Sequence, residues 1–245
     1  MELLLYCIFP GDGIAVPPSL TGVGGRPLIT VGGANLRAAV SPCRRDDLHP
    51  DRQTWQTYGR IIEWYHNHYT AIPLRFGYLL PDASQVERLL TERRTYFKTL
   101  LEGLQGCVEM GIRIFLPRGA LGGSAREDSA ASTASGLGYL NARRRDFARE
   151  DREGREADLL AEKVCLALTG HYRRHLRESR GLPQGRLLSL YFLVPTAAQV
   201  AFREATRGLS APGTSQVLLS GPWPPYNFVL ATPPLQKPTA AMEAQ

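Results

Sequence analysis

A chain of 245 residues, 43% hydrophobic and 21% charged, has the composition of an ordinary globular protein with room for one or two cores. No apolar run approaches the ~20 residues that span a bilayer, and the opening MELLLYCIFPG has neither a basic leader nor a small-residue cleavage site, so the expectation is an intracellular chain without a targeting segment. The net charge of +6, from 29 basic and 23 acidic residues, is mild and spread along the chain; it admits an acidic partner without requiring nucleic acid.

In chain order, Leu3 to Phe9 is a short apolar run ending in Pro-Gly, the signature of a buried strand. After a loop rich in Gly and Pro, LITVGGANLRAAVSPC reads as two strands of a hairpin turned around Gly32-Gly33. Asp46 or Asp47 is placed to cap a helix over about Asp51 to Tyr69, where Trp55, Tyr58, Ile61, Ile62, Tyr65 and Tyr69 form one apolar face. AIPLRFGYLL then changes to period two, with Ile72, Leu74, Phe76 and Tyr78 on one face and Arg75 and Gly77 on the other. Pro81-Asp82 opens a second helix whose stripe runs from Val86 to Leu104, and Gly106 stops it. CVEMGIRIFL alternates again, Val108, Met110, Ile112 and Ile114 against Glu109, Gly111 and Arg113. The pattern is α+β, with helices on one face of a mostly antiparallel sheet and Arg75, Glu109 and Arg113 on the other.

Residues 117–135, rich in Gly, Ser and Ala, read as a mobile linker that separates a first domain, 1–116, from a second, 136–230. The second begins with a helix. Its first half is a run of both charge signs, and its second half carries Leu160, Val164, Ala167, Leu168, Tyr172 and Leu176 on one stripe. A strand over Leu187–Val194, a helix over Thr196–Leu209 and a strand over Gln216–Ser220 make a βαβ-like unit, closed by GPWPPYNF. Residues 231–245, rich in Pro and Ala, read as a disordered tail. Both halves run helix, strand, helix, strand, an echo too weak to be read as a repeat from sequence alone.

Catalytic constellations are missing. There is no Walker loop, no H-E-x-x-H and no G-x-S-x-G, and Pro17-Pro18 interrupts the place where a helix would follow Gly11-x-Gly13 in a dinucleotide site. The scattered Cys7, Cys43, Cys107 and Cys165 lack a C-x-x-C and read as buried thiols of a reducing compartment. His171 and His175 have the i, i+4 spacing of a metal pair, but Arg173 and Arg174 between them disfavour a cation, so they read as surface histidines near a helix end. No catalytic, cofactor-binding or metal-ligating residue is assigned.

What the sequence offers instead is surface. Arg75, Glu109 and Arg113 form a charged row if their strands are neighbours; such a row either satisfies itself or docks a partner. In GPWPPYNF each residue before a proline is held extended, which pre-orders Trp223, Tyr226 and Phe228. The strap either lids the second domain's core or leaves aromatic area for a partner.

In order along the chain, TAIPLRFGYLL, GCVEMGIRIFL, GLGYLNARRRDF, LVPTAAQVAFREA and SGPWPPYNFV resemble the gas vesicle protein F/L family, over roughly Leu3 to Val229. The most specific parts are Leu74-Arg75-Phe76-Gly77 and the closing GPWPPYNF, with Gly138-Tyr139-Leu140 adding to them. The resemblance implies an N-terminal ferredoxin-like domain, a C-terminal modified version of it, and intervening helices. It also implies a non-enzymatic role in forming gas vesicles, as a minor component or assembly factor contacting the major shell protein and other gas vesicle proteins, with no cofactor and no membrane or nucleic-acid partner. The carried-over positions are interaction or fold candidates: Arg75, Gly77, Glu109, Arg113, Tyr139, Trp223, Tyr226 and Phe228. The chain departs from the family in the Gly/Ala/Ser insertion after Pro117, which affects linker geometry. The alternative reading is a basic nucleic-acid-binding protein of the ferredoxin-like type, which needs exposed aromatics on the open sheet face; there the sequence places Glu109, Gly111 and Arg113.

Overall fold

The structure, a computed structural model, describes residues 1–11, 16–33, 35–49, 51–118, 136–209 and 216–230. The expected linker from residue 119 on and the expected tail lie outside the described residues. The chain forms two compact units: Met1–Glu109 together with the segment that begins at Trp223, and Met110–Pro222.

In the first unit β1 (Glu2–Pro10) is central. It pairs antiparallel with β3 (Leu36–Cys43) on one side and, on the other, with β4 (Ile72–Pro73) and β5 (Leu79–Leu80). β2 (Ile29–Val31) flanks β3 antiparallel, as the hairpin reading expected. Leu4 to Phe9 are all fully buried because helices cover both faces of the sheet, where the sequence pattern had suggested one. A bulge at Tyr6 moves the register, Leu5 facing Val40 and Cys7 facing Ala39, so Leu4, Tyr6, Cys7 and Phe9 all enter the cluster under α1. The Tyr6 phenol shares a 2.7 Å hydrogen bond with Ser41 Oγ and accepts one from Val23 N–H at 2.9 Å, which pins the 3₁₀ turn Val23–Gly25 to the sheet.

α1 (Arg52–His68) buries Tyr58, Ile61, Ile62 and Tyr65. Its cap is Asp51, whose carboxylate accepts from Thr54 N–H at 2.7 Å; Asp46 and Asp47, the expected caps, close a separate 3₁₀ turn. Segment 72–80 is two short ladders joined by a turn, where one strand was expected, so Arg75 and Gly77 share no sheet face. Likewise the long apolar stripe after Pro81 is split: α2 (Ala83–Glu92), capped by Asp82, and α3 (Arg94–Leu104) meet at Arg93, whose ψ of 21° leaves the helical region.

The second sheet is formed by β6 (Cys107–Pro117), β7 (Arg174–Leu182), β8 (Gly185–Pro195) and β9 (Gln216–Trp223) in the order β7-β8-β6-β9, with α4 (Gly136–Ala167) and α5 (Gln199–Arg207). All of it belongs to the second unit except residues 107–109 of β6 and Trp223 of β9, which count with the first. β7 is a correction. Tyr172 and Leu176 continue the apolar spacing of α4, but Gly170, at φ +90°, turns the chain, and residues 174–182 pair antiparallel with β8 across a two-residue hairpin. Nine cross-strand partners override local spacing. His171 and His175 therefore share no helical face, and among the described residues no cluster of His, Cys, Asp or Glu suits a metal.

Numbered within each unit, both sheets have strands in the order 2-3-1-4. That is the arrangement of the split β-α-β-β-α-β fold. The second unit carries both crossover helices, α4 and α5. In the first, α1 is the second crossover, and the described part of the connection from β1 to β2 holds only the 3₁₀ turn Val23–Gly25. Relative to the sequence reading, the boundary moves from 116 to 109, because β6 enters the second sheet, and GPWPPYNF from Trp223 on belongs to the first unit.

Candidate functional site

The GPWPPYNF strap explains its own aromatics residue by residue. Pro224, Pro225 and Phe228 are buried, and α6 (Tyr226–Leu230) packs against β4. Tyr226 lies against the cluster built on β1 and α1. So the strap lids the first unit's core, whereas the sequence reading placed it over the second. Glu109 holds it there. Its carboxylate accepts from Asn227 N–H at 2.8 Å and from Asn227 Nδ2 at 2.5 Å, satisfying a donor in the first turn of α6. Glu109 is only 4% exposed, and burial pushes its carboxyl above the ordinary range while the two hydrogen bonds from Asn227 pull it down. The charged row of Arg75, Glu109 and Arg113 does not exist: β6 is in the second sheet, Arg75 is in the first unit's turn, and Glu109 faces Asn227.

Two tryptophans escape burial. Trp223 is 51% exposed and Trp55, at the start of α1, is 50% exposed. They line a single open groove of about 1010 Å³ in the first unit, between α1, residues 73–76 and the strap. Phe76 forms part of the wall. Its ring lies 4.5 Å from that of Trp55 and meets Tyr58 edge-on at 5.2 Å. The Leu74-Arg75-Phe76-Gly77 motif accounts for that placement. Tyr78 N–H returns to Arg75 C=O at 3.3 Å, and Gly77 sits third in the turn at φ +83°, the conformation a type II turn requires. Gly77 is thus a hinge of the turn that presents Phe76. Beneath, the Tyr58 phenol donates to Leu5 C=O at 2.9 Å and Leu74 C=O at 3.1 Å, locking α1 to both strands.

Arg60, Glu63 and Arg75 are exposed on the rim. Burial raises the Tyr58 and Tyr226 phenols well above their ordinary value, so both stay neutral across the physiological range. Such a lining binds apolar surface, with a few charges to orient it. Of the sequence candidates, the groove unites Arg75, Trp223 and Tyr226, with Gly77 shaping its wall and Glu109 and Phe228 anchoring the strap. Arg113, exposed on β6, and Tyr139, exposed on α4, lie in the other unit. Trp55 and Phe76 were missed as groove residues because helical and strand periodicity assigned them to the core. The available signal was Phe76 preceding Gly77, a turn-forming glycine.

The profile described as "Gas vesicle synthesis protein GvpL/GvpF" matches residues 2–230. The chain belongs to the GvpL/GvpF family. It is 33% identical over 241 residues to gas vesicle protein L of Streptomyces sp. (strain CB03234), covering 89% of each chain. To gas vesicle protein F of the same strain it is 27% identical over 247 residues, covering 94% of this chain and all of the other. Its fold matches the crystal structures of GvpF from Microcystis aeruginosa (TM-score 0.72, 18% identity) and Anabaena sp. PCC7120 (TM-score 0.71, 17% identity), each over 93% of this chain and 98% of the other. This GvpL/GvpF protein is therefore a gas vesicle protein, and no helix among its described residues is long and apolar enough to cross a membrane.

Proposed function

We propose that this GvpL/GvpF protein is a non-enzymatic binding protein of gas vesicle formation, and that the first unit's aromatic groove takes an apolar segment of the major shell protein. The observation that carries this reading is the pair of half-exposed tryptophans on the walls of one fixed groove. A subunit that lines a gas-filled wall has an apolar face, which aggregates in water unless it is covered before assembly. Indole rings supply large contact area with little side-chain entropy to lose, and their walls here are pre-ordered by Tyr58, Gly77 and the prolines. The test is co-purification of the tagged protein with the shell protein. Trp55→Ala with Trp223→Ala is expected to reduce capture at least roughly tenfold, since buried aromatic anchors each contribute about 2 kcal/mol or more. Capture that is undiminished in this double variant removes the groove from the mechanism.

A further inference from the structure

The groove of the first unit lies where the chain leaves its described fold. Trp223, Pro224 and Tyr226 line it. α6 ends at Leu230, one helical turn or about 6 Å beyond Tyr226. The residues that follow, 231–245, read ATPPLQKPTAAMEAQ. Pro233, Pro234 and Pro238 punctuate their first half, and a residue before proline is biased to extended geometry, so this sequence favours a polyproline II helix at low entropic cost. Segments of that kind are recognised by grooves walled with aromatic rings, because proline presents an apolar face and has no N–H to satisfy. The first unit has such walls in Trp55, Phe76 and Trp223.

We infer that residues 233–238 of the same chain occupy this groove in the free protein. Length, face and charge agree. As a polyproline II helix, Pro233 to Pro238 is about 16 Å long. The α1 wall from Gln53 to Glu63 is about 15 Å long. Three residues make one turn of a polyproline II helix, so Leu235 and Pro238 share a face. Setting that face against Trp55 and Trp223 leaves Lys237 on an adjacent face, at the rim. Lys237 is the only basic residue of 231–245, and the exposed Glu63 is the acid among the groove's described lining residues. Tethering makes a modest affinity sufficient. A linked segment meets its site at an effective concentration on the order of millimolar. With an intrinsic Kd of about 0.1 mM it fills the groove roughly nine-tenths of the time and weakens any competitor about tenfold. The tail is then a built-in competitor of the shell protein; this last step rests on the groove being the shell protein's site, whereas the occupancy itself does not.

Acrylamide quenching of tryptophan fluorescence in the full chain tests the occupancy with no partner present. Leu235→Ser combined with Pro238→Ser is expected to raise the quenching constant roughly twofold, since two of the three tryptophans become uncovered. With Trp55→Ala and Trp223→Ala in place, which leaves Trp64 alone, the same tail change is expected to move nothing. Circular dichroism checks that the variants keep their fold. Equal quenching of the wild type and the tail variant overturns the inference, as does a rise that Trp64 alone reproduces. Wild-type protection that fades on dilution overturns it too, because the groove then holds the tail of a second copy. Affinity for the shell protein separates the two readings: the tail variant is expected to bind about tenfold more tightly. A rise in quenching with unchanged affinity keeps the tail in the groove and refutes the groove as the shell protein's site.

Discussion

The Glu109–Asn227 clasp makes a quantitative prediction because its two hydrogen bonds and its burial act in opposite directions. Glu109→Ala leaves Asn227 N–H and Nδ2 without their acceptor. The side-chain amide is half-buried and turns toward water, so the main cost is one backbone donor under the strap, about 1–3 kcal/mol. Glu109→Gln keeps an acceptor for that N–H and loses the charge. In the wild type the folded-state pKa is raised by burial above the ordinary 4.5. The folded protein then binds more protons than the unfolded chain between 4.5 and the raised value, so this group's contribution to stability falls as pH climbs through that window. Glu109→Gln has no such term. The stability of the wild type relative to Glu109→Gln should therefore be greatest at pH 4.5 and below, decline above it, and level off once the folded carboxyl ionises. All three tryptophans, Trp55, Trp64 and Trp223, belong to the first unit, so tryptophan fluorescence during urea unfolding reports that unit alone. A wild-type advantage that grows from pH 4.5 upward would show the carboxylate to be stabilised on folding and would refute the reasoning.

The strap's two kinds of aromatic should separate cleanly in the same assay, read here by far-ultraviolet circular dichroism where Trp223 itself is removed. Phe228→Ala deletes a fully buried ring and is expected to cost about 3–5 kcal/mol, whereas Trp223→Ala, half in water, should cost less than about 1.5 kcal/mol and spare the fold. Gly77→Ala forces an L side chain into a left-handed turn at about 1–2 kcal/mol. By displacing Phe76 it should also weaken capture of the shell protein in a pull-down; full capture at normal stability would separate the turn from the groove.

Much of this fold could be read along the chain, because helix caps, turn glycines and apolar periodicity are local. Asp82, Gly106, the hairpin around Gly32 and the face of α1 are all decided by residues within a few positions of one another. The family was legible for a similar reason: its motifs are short and ordered. Tertiary structure decided everything that depends on residues far apart. Pairing with β8 made Arg174–Leu182 a strand although its spacing continued a helix; the break of residues 72–80 into two ladders is by contrast a local event, Tyr78 bonding back to Arg75 across the turn at Gly77. Contact across 118 positions ties the strap from Trp223 on to the first unit, where Glu109 accepts from Asn227. The groove belongs to this second class. Trp55, Phe76 and Trp223 come from a helix, a turn and a strap, and no periodicity within any one of them records that the three line the same wall.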